Sequence, residues 1–113
     1  MPRDVEIRST QPSRAGKPTV PNDIGDTLAR IARGEMDPHR NDGRVFENRP
    51  DPSTGVRPLP VQVIPDYYRE YVHPTPGGRP PGPQRVVIGL GGEIYYTPDH
   101  YHTFVPVITP QGP

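Results

Sequence analysis

The chain has no cysteine and no tryptophan, and two of its 113 residues are phenylalanine. Without cysteine there is neither a disulfide framework nor a thiolate metal site, so a fold of this size must rest on packing alone. Long hydrophobic runs are missing as well. Nowhere do about 18 apolar residues follow one another, which removes a membrane-spanning helix, and Met1 leads into polar residues rather than a signal peptide's apolar segment. Nor is there a surplus of charge: 13 Lys and Arg balance 13 Asp and Glu. That balance excludes the global basic field behind extended, salt-sensitive nucleic-acid binding and leaves room for short contacts. With 30% hydrophobic residues, the chain can build one small core and therefore one domain.

What it holds in excess is proline, 19 residues, beside 12 glycines, well above proline's usual share of roughly 5%. Residues 1–21 mix charge, Ser, Thr, Gly and Pro without periodicity and read as a flexible linker or tail, as if a domain had been cut from a longer protein. The first periodic segment is Asn22 to Gly34, where Ile24, Leu28, Ile31 and Ala32 share one helical face. Asn22 suits the N-cap and Gly34 the stop. So short a helix must lean on something, and a sheet is the obvious partner.

Asp42-Gly43 then turns the chain into a brief strand, Arg44-Val45-Phe46, followed by a proline-punctuated loop, residues 47–55, whose backbone N–H groups can face a ligand. Leu59 to Ile64 is apolar but interrupted by Pro60 and closed by Pro65, so it reads as extended chain covering an edge of the core. Tyr67 to His73, Gln84 to Leu90, Glu93 to Thr97 and Thr103 to Ile108 carry the Tyr, Val, Ile and Phe of strands. Gly91-Gly92 closes a hairpin, and residues 74–83 form a loop. The plan is α+β, an N-terminal helix packed on a small antiparallel β-sheet over residues 22–108, with 109–113 as a C-terminal tail.

Strand alternation puts Tyr68, Glu70 and Val72 on one face, and Arg85 with Val87 on one face of the next strand, so Glu70 and Arg85 can share a surface. His100 falls in the turn between the last two strands. Carboxylate, arginine and loop histidine are the base, charge stabiliser and acid that a phosphodiester reaction needs. Blander readings stand beside this one: a mid-strand Glu is commonly solvated or salt-bridged, and a loop His commonly a surface residue. His100 and His102 with Asp99 form a sparse metal pattern without a third placed ligand, and residues 79–83 offer an extended proline-rich ligand.

Several separated motifs, DTLARIA, DGRVFENR, YYREY, TPGG, QRVVIG and YYTPDHYHTF, occur in one order over residues 22–106. In this the chain resembles the microbial guanyl-specific ribonucleases, the family of barnase. The resemblance implies Glu70 as general base, His100 as general acid, Arg85 as phosphate-binding arginine and Tyr101 as a phosphate hydrogen-bond donor. Glu47, Asn48 and Arg49 fall in the base-binding loop. It further implies metal-independent, cofactor-free cleavage of single-stranded RNA through a 2′,3′-cyclic phosphate, with guanine preferred, by a monomer that does not act on membranes. A secreted or delivered bacterial toxin domain with a cognate inhibitor protein fits that pattern; the alternative is a related RNA- or protein-binding module with weak catalysis. Two positions depart from the family. Pro50 stands where a glutamate usually grips guanine, with Asp51 next to it as stand-in, and Pro81 stands where a second active-site arginine is usual, with Arg79 as the neighbouring cation.

Overall fold

The structure is a computed structural model that describes residues 20–75, 77 and 81–108. One helix, α1 (Ile24–Ala32), precedes five strands: β1 (Arg44–Phe46), β2 (Tyr68–Val72), β3 (Arg85–Gly89), β4 (Ile94–Thr97) and β5 (Val105–Val107). The strands form one antiparallel sheet in the order β1-β2-β3-β4-β5. This is the α+β plan expected from the sequence, with β2, β3 and β5 shorter at both ends and β4 shorter by its first residue.

The helix begins one residue later than its sequence suggests. Asp23, not Asn22, is the N-cap, and its carboxylate makes no capping bond; it faces His73 Nε2 at 3.0 Å instead. At the other end Gly34, with φ of 78°, is the left-handed stop. Its N–H donates to Ile31 O and that of Glu35 to Arg30 O, both pairs expected of a glycine-terminated helix. The buried stripe is rotated from the expected face: Ile24 and Thr27 are buried, Leu28 and Ile31 half-buried, and Ala32 exposed. Thr27 turns inward because its hydroxyl meets His73 Nδ1 at 2.7 Å. Burial depresses the His73 pKa, with Asp23 partly offsetting it. A neutral ring whose Nε2–H donates to Asp23 and whose Nδ1 accepts from Thr27 satisfies both contacts.

Both faces of the sheet are covered, which is why β3 reads as a nearly continuous apolar run. On the helix side Ile24 packs with Val86, Tyr96, Val105 and Val107. Val20 joins this cluster at 5% exposure, so the packed unit includes Val20 and Pro21, which the composition had assigned to the tail. The rest of that tail, residues 1–19, and the tail 109–113 lie outside the described residues. On the other face Leu59, Tyr68 and Val87 are buried among Phe46, Tyr67, Tyr95, Tyr101 and Phe104. From the segment 59–64 it is Leu59 that covers the core; Val61, Val63 and Ile64 are exposed.

A polar tie joins these layers. Arg30 donates from both terminal nitrogens to the two oxygens of Asp42, at 3.1 and 3.2 Å, and from Nη2 to Val72 O at 2.8 Å. Asp42 also accepts the N–H groups of Val72 and Asp37, at 2.9 and 3.0 Å, and its side chain is fully buried. Burial alone would raise the Asp42 pKa; the Arg30 hydrogen bonds and the two N–H donors outweigh it and hold the group below the ordinary carboxylate value.

Asp42→Ala should therefore cost about 3–5 kcal/mol, since it leaves a partly buried arginine and a strand-end N–H without their partner. Because the folded pKa is depressed, this contribution is complete above the unfolded value near 4 and is lost as pH falls through the folded value. Urea denaturation of parent and variant between about pH 7 and pH 2 should show their stabilities converging at the acid end; a constant gap would contradict the assignment.

Candidate active site

The turn between β4 and β5 places His100 and Tyr101, and both have positive φ, 59° and 77°. Left-handed backbone at two side-chain-bearing residues costs on the order of 1–3 kcal/mol each and persists only where neighbours over-determine it. Thr97, completely buried, supplies that constraint. Its hydroxyl donates to Asp99 Oδ1 at 3.0 Å and accepts the Tyr101 N–H at 2.9 Å. Asp99 Oδ1 also accepts the Thr103 N–H at 2.8 Å, and the His100 N–H donates to Pro83 O at 3.0 Å. Asp99 is thus committed to shaping the turn. Among the described residues no group of three or more His, Cys, Asp or Glu side chains is placed to hold a metal ion.

The turn faces a cleft of about 680 Å³ that also takes in Glu70, β1 and the loop from Glu47 to Pro58. Glu70 is half-buried, and its Oε1 accepts the Tyr101 hydroxyl. Burial, reinforced by that bond and by the Glu70 charge, pushes the tyrosine's pKa far up, so the hydroxyl keeps its proton and remains a donor. The Tyr101 ring stacks on Phe46, centroids 5.2 Å apart, while the His100 ring meets it at 4.7 Å and 62°.

Arg85 shares the face of Glu70, as strand alternation predicts, because Glu70 pairs with Val87 and Val72 with Arg85. It is 3% exposed, with Nη1 donating to Gly82 O at 2.7 Å and Gln84 O at 2.8 Å, and its buried Nε has no partner among the described residues. Burial chiefly, and the Arg85 charge next, hold the His100 pKa below the ordinary histidine value, against the pull of Glu70. The four residues Glu70, Arg85, His100 and Tyr101 are therefore one electrostatic group. Arg79, the fifth residue expected near the phosphate, lies outside the described residues.

The far end of the cleft is the loop after β1. Asn48 has φ of 55° and is buried; its side chain accepts the Leu59 N–H and donates to Leu59 O, both at 2.9 Å. That side chain acts as a clamp, not as a group open to a ligand. Arg57 completes the bracing by donating to Asn48 O at 2.9 Å. With Asn48 fixed, the N–H groups of Glu47, Asn48 and Arg49 are left without hydrogen-bond acceptors among the described residues. The Glu47 and Arg49 side chains pair with each other at 2.6 Å, an exposed contact worth at most about 1 kcal/mol and easily opened. Asp51 lines the cleft beyond Pro50. Its Oδ1 accepts the Ser53 N–H and hydroxyl, which lower its pKa. Thr97, Phe46, Leu59 and Arg57 are site-building residues that sequence patterns did not single out; each acts across a turn or between strands, where no local spacing marks it.

A family model described as ribonuclease matches residues 5–108. Guanyl-specific ribonuclease St of Saccharopolyspora erythraea is 41% identical over 85 residues, covering 75% of this chain and 77% of the relative. Guanyl-specific ribonuclease Sa of Kitasatospora aureofaciens is 42% identical over 86 residues, 75% of this chain and 82% of the relative. Among solved structures, ribonuclease Sa2 in complexes with mononucleotides superposes with a TM-score of 0.63 at 41% identity, over 77% of this chain and 83% of that one. The same enzyme with guanosine-2′-cyclophosphate gives 0.62 at 41% identity, over 77% and 85%.

Asn48→Ala should lower stability by roughly 2–4 kcal/mol, the sum of two unpaired backbone groups at Leu59 and an L side chain in left-handed backbone. Asn48→Gly, which relieves the backbone, should lose less. Chemical denaturation of both variants, with amide exchange read at Leu59, checks this; an unprotected Leu59 amide in the parent would contradict the clamp.

Proposed function

The chain belongs to the ribonuclease family, and from that premise we propose that it is a metal-independent, guanine-preferring endoribonuclease that cuts single-stranded RNA. The observation that carries the reading is Glu70: one carboxylate oxygen is held by Tyr101, the other has no hydrogen-bond partner among the described residues, and the cleft that exposes it also exposes His100.

In the first step Glu70 Oε2 takes the proton from the ribose 2′-hydroxyl. The 2′-oxygen bonds to the adjacent phosphorus, and the bond to the 5′-oxygen of the next nucleotide breaks as that oxygen takes a proton from His100. A 2′,3′-cyclic phosphate and a free 5′-hydroxyl result. The nucleophile is tethered beside its target, so positioning is already secured and the protein has to move protons and neutralise charge. Arg85 supplies fixed positive charge behind the phosphoryl oxygens, and Tyr101 a hydroxyl that can pass from Glu70 to the phosphate. In the second step the roles reverse: His100, now neutral, activates water and Glu70 returns its proton to the 2′-oxygen. Every step is a proton transfer or a charge contact, so no cofactor enters. DNA, lacking the 2′-hydroxyl, is not a substrate.

For the base, the free N–H groups of Glu47 to Arg49 suit the acceptors of guanine, and Asp51 supplies the carboxylate for its N1–H and N2–H that Pro50 cannot. A guanine whose donors met nothing would lose about 1–3 kcal/mol. The residues given roles in these steps all belong to one chain, which is consistent with a monomer as the working unit. A nuclease that needs no cofactor would attack its producer's own RNA, which supports a toxin secreted or delivered into other cells and neutralised at home by an inhibitor protein.

Digestion of a defined RNA, with the ends sequenced, tests the reading. Cleavage should follow guanine and leave cyclic phosphates, and Asp51→Ala should narrow the margin over other bases about tenfold or more. Glu70→Ala and His100→Ala should each slow cleavage by roughly 10²- to 10⁴-fold while the fold persists. Because the free-enzyme His100 pKa is depressed, protonated acid is lost early, and the alkaline fall in kcat/KM should begin below the ordinary histidine value of about 6.5. Undiminished cutting by both alanine variants would refute the mechanism.

A further inference from the structure

One cation on the reacting face of the sheet has no part in these steps. Arg44 in β1 is the direct partner of Glu70 in β2, and directly opposed residues of an antiparallel pair share a face, with Cβ atoms about 5 Å apart. Since Val72 of β2 in turn opposes Arg85, Arg44, Glu70 and Arg85 lie on one face of three adjacent strands. Arg44 is exposed and lines the same cleft as Glu70, His100 and Tyr101. Its guanidinium is steadied by one hydrogen bond, Nη1 to Asn41 Oδ1 at 2.9 Å, and Asn41 lines the cleft too. Among the described residues the remaining N–H donors have no acceptor, and none of the ion pairs includes Arg44.

The geometry points to Arg44 as the second phosphate-contacting cation of the site, reaching past Glu70 to the scissile phosphate opposite the side backed by Arg85. The inference rests on the ribonuclease reading above. Charge on the phosphoryl oxygens grows as the 2′-oxygen attacks, so a cation fixed there in advance stabilises the transition state more than the bound substrate. The chain has proline at residue 81, where the resemblance puts a second active-site arginine, and β1 brings a cation to the same cleft. Two features suit Arg44 for the task. The Asn41 tether reduces the side-chain freedom lost when phosphate binds. The Tyr101 hydroxyl holds Glu70 Oε1, so the carboxylate has a neutral partner and the arginine is not consumed in an ion pair with the base. Arg85, by comparison, is a buried background charge whose Nη1 is taken by two carbonyl groups.

Steady-state cleavage of a guanylyl-cytidine dinucleotide by the full chain tests this, with melting temperature measured in parallel. R44Q keeps a donor for Asn41 and removes the charge. It should lower kcat/KM by about one to two orders of magnitude, less than the 10²–10³ of a buried oxyanion donor because the site is open to solvent. Most of the loss should fall in kcat, with a melting shift within about 3 °C as for a surface substitution. R44K should recover most of the rate, and N41A should retain part of it. A parent that cuts the dinucleotide while R44Q cuts equally well overturns the inference and leaves the ribonuclease reading standing. So does an R44Q defect that lysine fails to rescue and N41A reproduces in full, since Arg44 would then be a brace for the turn. A parent that leaves the dinucleotide intact overturns the ribonuclease reading itself.

Discussion

Asp42 sits where the helix, the end of β2 and the start of β1 meet, and its carboxylate takes hydrogen bonds from the Arg30 guanidinium and from the N–H groups of Val72 and Asp37. Nothing apolar at that point could hold three elements at once, because each arrives with unsatisfied backbone or charged groups. The adjacent Gly43 N–H donates to Glu70 O at 2.7 Å, which fixes β1 against β2 and so sets the register that pairs Arg44 with Glu70. The position of the catalytic carboxylate proposed here thus depends on a buried ion pair whose carboxylate holds the N–H of Val72, two residues further along the same strand. A tie of this kind is weak evidence of stability for its own sake; what it secures is one register among several.

The opposite side of the site depends on aromatic packing. Phe46, at the end of β1, stacks on Tyr101 and touches Phe104 and Tyr68, so the strand that opens the base loop and the turn that carries His100 lean on the same ring. Tyr68 is tied down in turn by its hydroxyl bond to Pro60 O at 2.7 Å, next to the residue that Asn48 clamps. The loop after β1 and the turn that carries His100 are accordingly two ends of one packed cluster. That coupling lets a chain with so few hydrophobic residues keep an ordered cleft: the residues that fill the second core also shape the site.

The fold was largely legible in the sequence, because its strands announce themselves by Tyr, Val and Ile between prolines and its helix by a single apolar face. The boundary at Asn22, the stripe that included Ala32 and the tail that included Val20 were misread for a common reason. Each depended on a partner far along the chain: His73 for Asp23 and Thr27, and the β3 to β5 valines for Val20. Periodicity reports which residues can be buried, not which polar pair will turn a helix by a fraction of a revolution. Within the site, Glu70 and Arg85 were placed on one face by strand alternation alone. The turn around His100 followed from Pro98 and the polar residues after it, but its left-handed backbone did not, since His and Tyr are poor choices for that conformation. Asn48 lies in the loop read as ligand-facing, and its side chain is the brace of that loop, a role set by the Leu59 backbone eleven residues on.

Two adjacent residues in left-handed backbone, one of them the proposed acid, also say something about how such a protein can change over generations. Glycine would relieve the backbone at His100, which is exposed, and would be favoured there wherever folding was the sole requirement, whereas Tyr101 is kept by its packing on Phe46. Neutral drift after loss of function would therefore run downhill first at His100, leaving the Val and Ile core intact long afterwards. A relative with this sheet preserved and glycine in this turn would be expected to have retired from chemistry while remaining well folded, and the turn alone would suffice to tell the two kinds apart.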